Sequence, residues 1–378
     1  MTETNTATAT VNMANLRGGI EYASQWHLMW LRFCKHRLAV AGLLVVVCFY
    51  IVAIFAEFLA PFDPEKPNAR LVYHPPQGVR LFDEKGFNPH GQFFELTRDP
   101  QTLKPAYLPK EGAKVELEFF ARGFEYNMLG LIPTDIHFIG PKDKSQMFYL
   151  FGADRLGRDM LSRVIYGARF TLSLGLFGVC MSVLLGIFFG GVAGYYGGRI
   201  DWIVMRVVEY IISLPTIPIW LALAAALPRD WPPYLQYLSI TMVISLIGWT
   251  ELARVVRGRF LALRGEVFVV AAKLDGCSEF RVIFRHMLPS LASHIIAAVT
   301  LAVPFMILAE TSLSFLGLGL QPPSISWGVL LKEAQNIRSI AQAPWLFVPG
   351  ACVVMAVLSL NFMGDGLRDA ADPYSHGN

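Results

Sequence analysis

The residues of this chain that could do chemistry are a few charges set against long apolar runs. Glu310 follows one uncharged run, Arg206 and Glu209 stand three apart before another, and Glu251 and Arg254 follow a third. An ionisable group inside a bilayer marks a functional position by default, because lipid offers it no hydration. A spacing of three puts Arg206 beside Glu209, and Glu251 beside Arg254, on one helix face, where an intrahelical ion pair is the plain reading. Glu57 closes the first apolar run and reads as solvated. For Glu310 two readings stay open: it lines a cavity or gate, or it binds backbone donors near an outer gate.

Other chemistries lack their residues. The eight histidines are scattered, His-Glu-x-x-His is absent, and no metal spacing occurs. No Gly-x-x-x-x-Gly-Lys-Ser/Thr loop is present to cradle phosphates, so no nucleotide or other cofactor is expected on this chain. The net charge of +3 comes without a nucleic-acid readout module. The five cysteines imply no disulfide framework.

The most informative polar stretch runs Arg264-Gly-Glu-Val-Phe-Val-Val-Ala-Ala-Lys-Leu-Asp-Gly-Cys-Ser-Glu-Phe-Arg-Val-Ile-Phe-Arg-His-Met-Leu-Pro289. It reads as two short helices broken at Gly276, where a left-handed C-cap favours glycine. Ser278 suits the N-cap of the second helix. There Phe280, Ile283, Phe284, Met287 and Leu288 follow helical spacing, which predicts them as the packed face. Arg281 and Arg285 lie one turn apart on another face, and Pro289 marks the entry to the next long helix.

The surrounding elements are set by the solvent the chain needs. Of 378 residues, 54% are hydrophobic and only 16% charged, with a mean hydropathy of +0.44. A soluble chain carries about a quarter charged residues. Windows free of Asp, Glu, Lys and Arg run 38–56, 170–198, 210–228, 231–250, 287–309 and 339–364. About 20 apolar residues cross a bilayer as a helix, so six spans are expected. Gly186, Gly190 and Gly194 repeat on one face of the second and predict close helix packing. Pro215, Pro218 and Pro304 predict kinks. Lys and Arg gather before span one, after span two and between spans four and five, which places both termini in the cytoplasm.

Expected strands lie near Val79–Phe82, Phe93–Leu96, Val115–Phe119 and Gln146–Leu150. The reading is an all-α transmembrane fold, a six-helix bundle with a small β-containing insertion. Its segments are 1–37, a cytoplasmic piece with an interfacial helix; 38–60, the first span; 61–168, the periplasmic insertion; 169–365, a five-helix core carrying a cytoplasmic loop over 257–290; and 366–378, a cytoplasmic tail.

The 264–289 stretch resembles the Glu-Ala-Ala loop of ABC-importer permeases. Ala271, Ala272, Gly276, Leu288 and Pro289 match in register, while Val270 and His286 replace that pattern's Glu and Ile. Residues 151–169, 313–323 followed by Ser326-Trp-Gly328, 364–373, and Ala60-Pro-Phe-Asp-Pro64 resemble segments of the dipeptide/oligopeptide/nickel permease branch. The long loop after the first span is similar to that of its extended members. The resemblance implies a type I ABC-importer permease subunit in a bacterial inner membrane. Its partners would be a second permease, two cytoplasmic ATPases holding ATP and Mg, a periplasmic solute-binding protein and the lipid bilayer, with no nucleic acid. It also implies that Ala271, Ala272, Gly276, Ser278, Arg281, Arg285, Leu288 and Pro289 form the ATPase-coupling loop. The competing readings are an ion-gradient-driven secondary transporter or channel, and a membrane-embedded enzyme.

Overall fold

The computed structural model describes residues 25–83, 86–98, 105–228 and 230–371. The N-terminal stretch 1–24, Arg229 and the tail 372–378 lie outside the described residues. α1 (Gln25–Lys35) leads through His36 into α2 (Arg37–Ile54), and α3 (Ala56–Leu59) continues the same path. α4 (Met160–Tyr196) is the longest helix, at 37 residues. It begins at Met160, not at 170, because Asp159 caps it by accepting from the Ser162 N–H. The end of the expected 61–168 insertion is therefore already helical. Gly197, at φ 68°, ends α4 and turns the chain into α5 (Gly198–Ser213).

The expected third span is broken. α5 and α6 (Thr216–Ala225) meet at 90°. Pro215 excludes its predecessor from helical backbone, and Leu214 is extended, at φ −86° and ψ 142°. α7 (Pro233–Leu263), α11 (Ala292–Phe315) and α14 (Val348–Ala371), which follows a 3-10 turn at Pro344–Phe347, complete the long helices. Pro304 sits inside α11. Between α7 and α11 come α8 (Val267–Leu274), α9 (Glu279–Arg281), a π-helical turn (Val282–Met287) and α10 (Leu288–Ser290). α12 (Trp327–Glu333) and α13 (Ile337–Gln342) lie between α11 and α14. Among the described residues five helices are long and apolar enough to cross a membrane, or six if the bent pair is one span.

Leu172, Leu174, Ile244, Met306, Ile307 and Trp327, together with Val353 and Leu360, form the core where α4, α7, α11 and α14 meet. On one side of the bundle stands an antiparallel sheet in the order β1-β2-β3-β4: Val79–Asp83, Gly86–Arg98, Pro105–Met128 and Ile132–Pro141. Residues 146–150, expected as a strand, are a loop laid on the sheet. The Gln77 side chain accepts from the Tyr149 N–H, and the Gln77 N–H donates to the Tyr149 carbonyl. Phe148 fills the space that a side chain at position 91 would need, a Cβ there lying 2.3 Å from its ring. β4 had no alternating pattern to announce it.

Candidate functional site

The candidate site is the hairpin between α7 and α11 and the helices on which it is mounted. α8 ends in a Schellman motif: Cys277 N–H donates to Ala272 O (3.1 Å) and Gly276 N–H to Lys273 O (3.1 Å). Gly276 takes the left-handed conformation this requires, at φ 76°. Ser278 stands at the N-cap of α9 with extended backbone, but its side chain makes no capping bond. Its carbonyl accepts from Val282 N–H at 3.0 Å instead.

The packed face differs from the expected one. Val282 and Met287 are fully buried, while Phe280 is 70% exposed and Phe284 is exposed beside it, ring centroids 4.3 Å apart. A π turn closes i→i+5 bonds, so residues five apart share a face. Pro289 has no N–H to give Arg285 O, and its ring crowds that carbonyl in a regular α-helix; the widened turn just ahead of it avoids this conflict. Val269, Ala272, Val282 and Met287 pack with Val256 and Phe260 of α7 and Tyr195 of α4. Ala271, Gly276, Ser278, Arg281, Arg285 and Pro289 face outward, and Leu288 is half-buried. The outer surface is also apolar: Val267 is 82% and Leu274 84% exposed.

The mounting is closely packed. Gly186, Gly190 and Gly194 all face α7, where added Cβ atoms would lie 3.0 Å from the Leu252 side chain, 2.4 Å from Ala253 O and 2.5 Å from Phe260 Cβ. Arg257 grips Asp201 of α5 with two hydrogen bonds, the Nε–Oδ1 one at 2.7 Å. Two contacts tie the hairpin to the end of α4. Tyr196 Oη donates to Glu279 at 2.8 Å, and Lys273 Nζ lies 4.8 Å from the Tyr195 ring centroid.

At the far end of the bundle Glu310 has no exposed surface. Its direct partners are hydroxyls, through which it reaches backbone donors. Its carboxylate accepts from Ser314 and Ser326 hydroxyls, both at 2.8 Å, and from Thr171 at 3.4 Å. Those hydroxyls in turn accept from backbone: Leu320 N–H on Ser314 (3.0 Å), Val329 N–H on Ser326 (3.2 Å) and Trp327 N–H on Thr171 (3.1 Å). One carboxylate thus ties α4, α11, the 316–326 loop and the start of α12. Sequence reasoning assigned no role to Thr171, Ser314 or Ser326, although Ser314 and Ser326 lie in the 313–323 and 326–328 stretches that carried the resemblance.

Glu57 is not solvated; it is paired with Arg169, which also donates through Nε to Ala53 O at 2.8 Å. Arg206 and Glu209 form the expected pair at 2.9 Å, exposed on both sides. Glu251 and Arg254 form no ion pair with each other.

The 151–169 stretch is a buried polar knot at the head of α4. Asp154 takes Arg158 Nε at 2.7 Å and lies 3.6 Å from Arg163 Nε, while Arg163 Nη1 donates to Pro64 O at 3.0 Å. Burial raises the Asp159 carboxyl to about 6 against the Ser162 hydrogen bonds that lower it. Burial, and then Asp154, also raise Glu333, which accepts from Arg155 N–H at 2.7 Å.

Residues 182–374 match the profile of the binding-protein-dependent transport system inner membrane component, and residues 24–76 that of the N-terminal TM domain of oligopeptide transport permease C. The chain belongs to the first of these families. It is 40% identical over 225 residues to the dipeptide transport system permease protein DppC of Bacillus subtilis (strain 168), covering 59% of this chain and 68% of that one. It is 28% identical over 348 residues to the glutathione transport system permease protein GsiD of Pectobacterium atrosepticum, covering 92% and 91%. Among solved structures, a chain of the inward-facing MetNI methionine ABC transporter overlaps 56% of this chain and 98% of its own, at 16% identity and a TM-score of 0.44.

The protein is a multi-pass inner-membrane permease subunit of an ABC importer, and ATP hydrolysis falls to separate subunits. The reading as an ion-gradient-driven transporter or channel gives way to this one.

Proposed function

We propose that this permease forms, with a second permease chain, the path by which peptides or similar small solutes cross the inner membrane, and that ATPase motion enters it through the hairpin 264–289. The names of the relatives, dipeptide and glutathione permeases, support the solute class. One observation carries the coupling role: a hairpin whose inner half is locked into the α4–α7 core presents Val267, Leu274 and Phe280 outward, beside Arg281 and Arg285. Large exposed apolar residues next to cations suit a protein partner rather than water. Two cytoplasmic ATPases would take this face, and a periplasmic solute-binding protein the opposite one.

Arg32, Lys35 and Arg37 before span one and the seven Lys and Arg residues from 254 to 285 support cytoplasmic termini. The segments 1–37 and 366–378 then lie inside, and 61–168, with the sheet, outside. Glu310 serves as a structural clamp holding the outer end of the bundle closed on itself, and Gly186, Gly190 and Gly194 keep α4 fixed to α7 so that hairpin motion is transmitted.

The test is Gly276→Pro in the assembled importer. Uptake should be lost while the permease still inserts and ATP hydrolysis no longer responds to solute; normal solute-stimulated turnover would sink the coupling role. A reporter fused at position 110 should score as periplasmic.

A further inference from the structure

The loop joining β3 to β4 is built against the usual preferences of a tight turn. Leu129 and Gly130 both have positive φ, 53° and 73°. Two such residues in succession are normally Asn-Gly or Asp-Gly, and a bulky side chain in this region is strained. Polar residues would relieve the strain and suit water. Instead Leu129 is 55%, Leu131 82% and Ile132 61% exposed, and the nine residues 126–134 carry no charge.

The position of the tip accounts for this composition. His137 of β4 sits between two backbone carbonyls, Glu57 O 3.1 Å from Nδ1 and Phe124 O 3.1 Å from Nε2, and the ring nitrogen that carries the proton donates to its carbonyl. Glu57 and Arg169 form the ion pair at that level. From His137 the strand runs five residues, about 17 Å at the usual rise, to Ile132. It runs toward the bundle, because Asn127, Leu129 and Gly130 share one cavity of about 590 Å³ with Tyr50 of α2 and with Leu176 and Phe177 of α4. Phe177 lies eight residues past Arg169 on α4, about 12 Å further along the axis. Leu176 and Phe177 are themselves exposed, on a helix apolar enough to span.

We infer that the β3–β4 hairpin tip is a membrane foot: Leu129, Leu131 and Ile132 enter the acyl region of the leaflet on the sheet's side, continuing the lipid-facing surface of α2 and α4. In lipid the apolar side chains gain what the strained turn costs, and the charged residues bracketing the uncharged run, Glu125 and Asp135, stay at the headgroup level. The foot would hold the sheet at a fixed height and tilt over the permease.

The test uses the assembled importer in lipid nanodiscs. The five native cysteines are replaced, Leu131→Cys carries an environment-sensitive fluorophore, and a label at Lys110→Cys, an exposed position on the same sheet, serves as the aqueous control. Nitroxide-bearing acyl chains should quench the 131 label several-fold more than the 110 label, and iodide should do the reverse. Iodide access at 131 equal to that at 110 would overturn the inference by placing the tip in water. Protection from both quenchers would overturn it by placing the tip against a partner protein. Because Leu131 is already mostly exposed, the label disturbs no packed strand. A second variant, Leu129→Asp in the same labelled background, should release the lipid quenching while leaving uptake measurable; undiminished quenching would also count against insertion.

Discussion

Val282 and Met287, five residues apart, share one buried face of the coupling hairpin because the chain between them makes a π turn. That relationship buries Val282 in place of Phe280 and Phe284, which regular helical spacing would have buried and which are left facing out. Met287→Ala should leave a cavity and destabilise the hairpin's seat by about 2–5 kcal/mol. The thermal midpoint of the purified complex should fall, and uptake per ATP hydrolysed should drop. Phe280→Ala, at an exposed site, should leave the midpoint unchanged and weaken ATPase retention on a column.

Gly190 and Gly191 are neighbours with opposite tolerances. A Cβ at 190 would sit 2.4 Å from Ala253 O, whereas one at 191 would meet the Phe260 ring at 3.6 Å, an ordinary contact. Gly190→Ala should force α4 off α7 and cut the yield of folded permease in membranes. Gly191→Ala should stay within about 0.5 kcal/mol of the parent. Fluorescence size-exclusion of tagged variants measures both.

Replacing Glu310 separates a clamp from a substrate contact. Glu310→Leu leaves the Ser314 and Ser326 hydroxyl protons without acceptors, at about 1–3 kcal/mol per group. Glu310→Gln keeps a carbonyl acceptor. The Leu variant should lose protease resistance around 310–330 and the Gln variant should keep it, with solute affinity at the binding protein unchanged in both. Equal protease resistance in the two variants would contradict the clamp.

His74 gives the sheet's junction a dependence on pH. Burial pushes its imidazole down to about 4 against the Pro75 carbonyl, which favours the cation, and Tyr107 and Phe94 enclose it at 4.8 and 5.5 Å between ring centroids. The folded ring therefore stays neutral while the unfolded chain takes up a proton below about 6.5. Stability is full above that value and falls as pH drops toward 4, by up to about 3 kcal/mol. Asp159 works the other way: its carboxyl, raised to about 6, contributes stability at low pH that is lost as pH rises through that value. Hydrogen-exchange protection factors over 68–83, referred to the intrinsic rate at each pH, should fall between pH 6.5 and 4, and His74→Phe should remove that component.

What the sequence by itself determined is what single segments decide. Five of the six uncharged windows fall on helices long and apolar enough to span, because bilayer burial acts on one helix at a time; the third falls on the bent pair α5–α6. Gly276 marked the hairpin's break because a positive φ, here 76°, is a local demand. The spacing of Gly186, Gly190 and Gly194 marked a packing face without naming α7 as its occupant. Tertiary structure decided the rest. Glu57 found Arg169, 112 residues away, and Glu310 found Thr171, 139 residues away; no local period records such a meeting. Pro289 favours a widened turn at 282–287, but the pocket that takes Val282 and Met287 is made by other helices, and β4 formed because β3 offered it an edge. Periodicity reports which residues avoid water, but which buried group pairs with which is settled only when distant segments are held close enough to share a hydrogen bond.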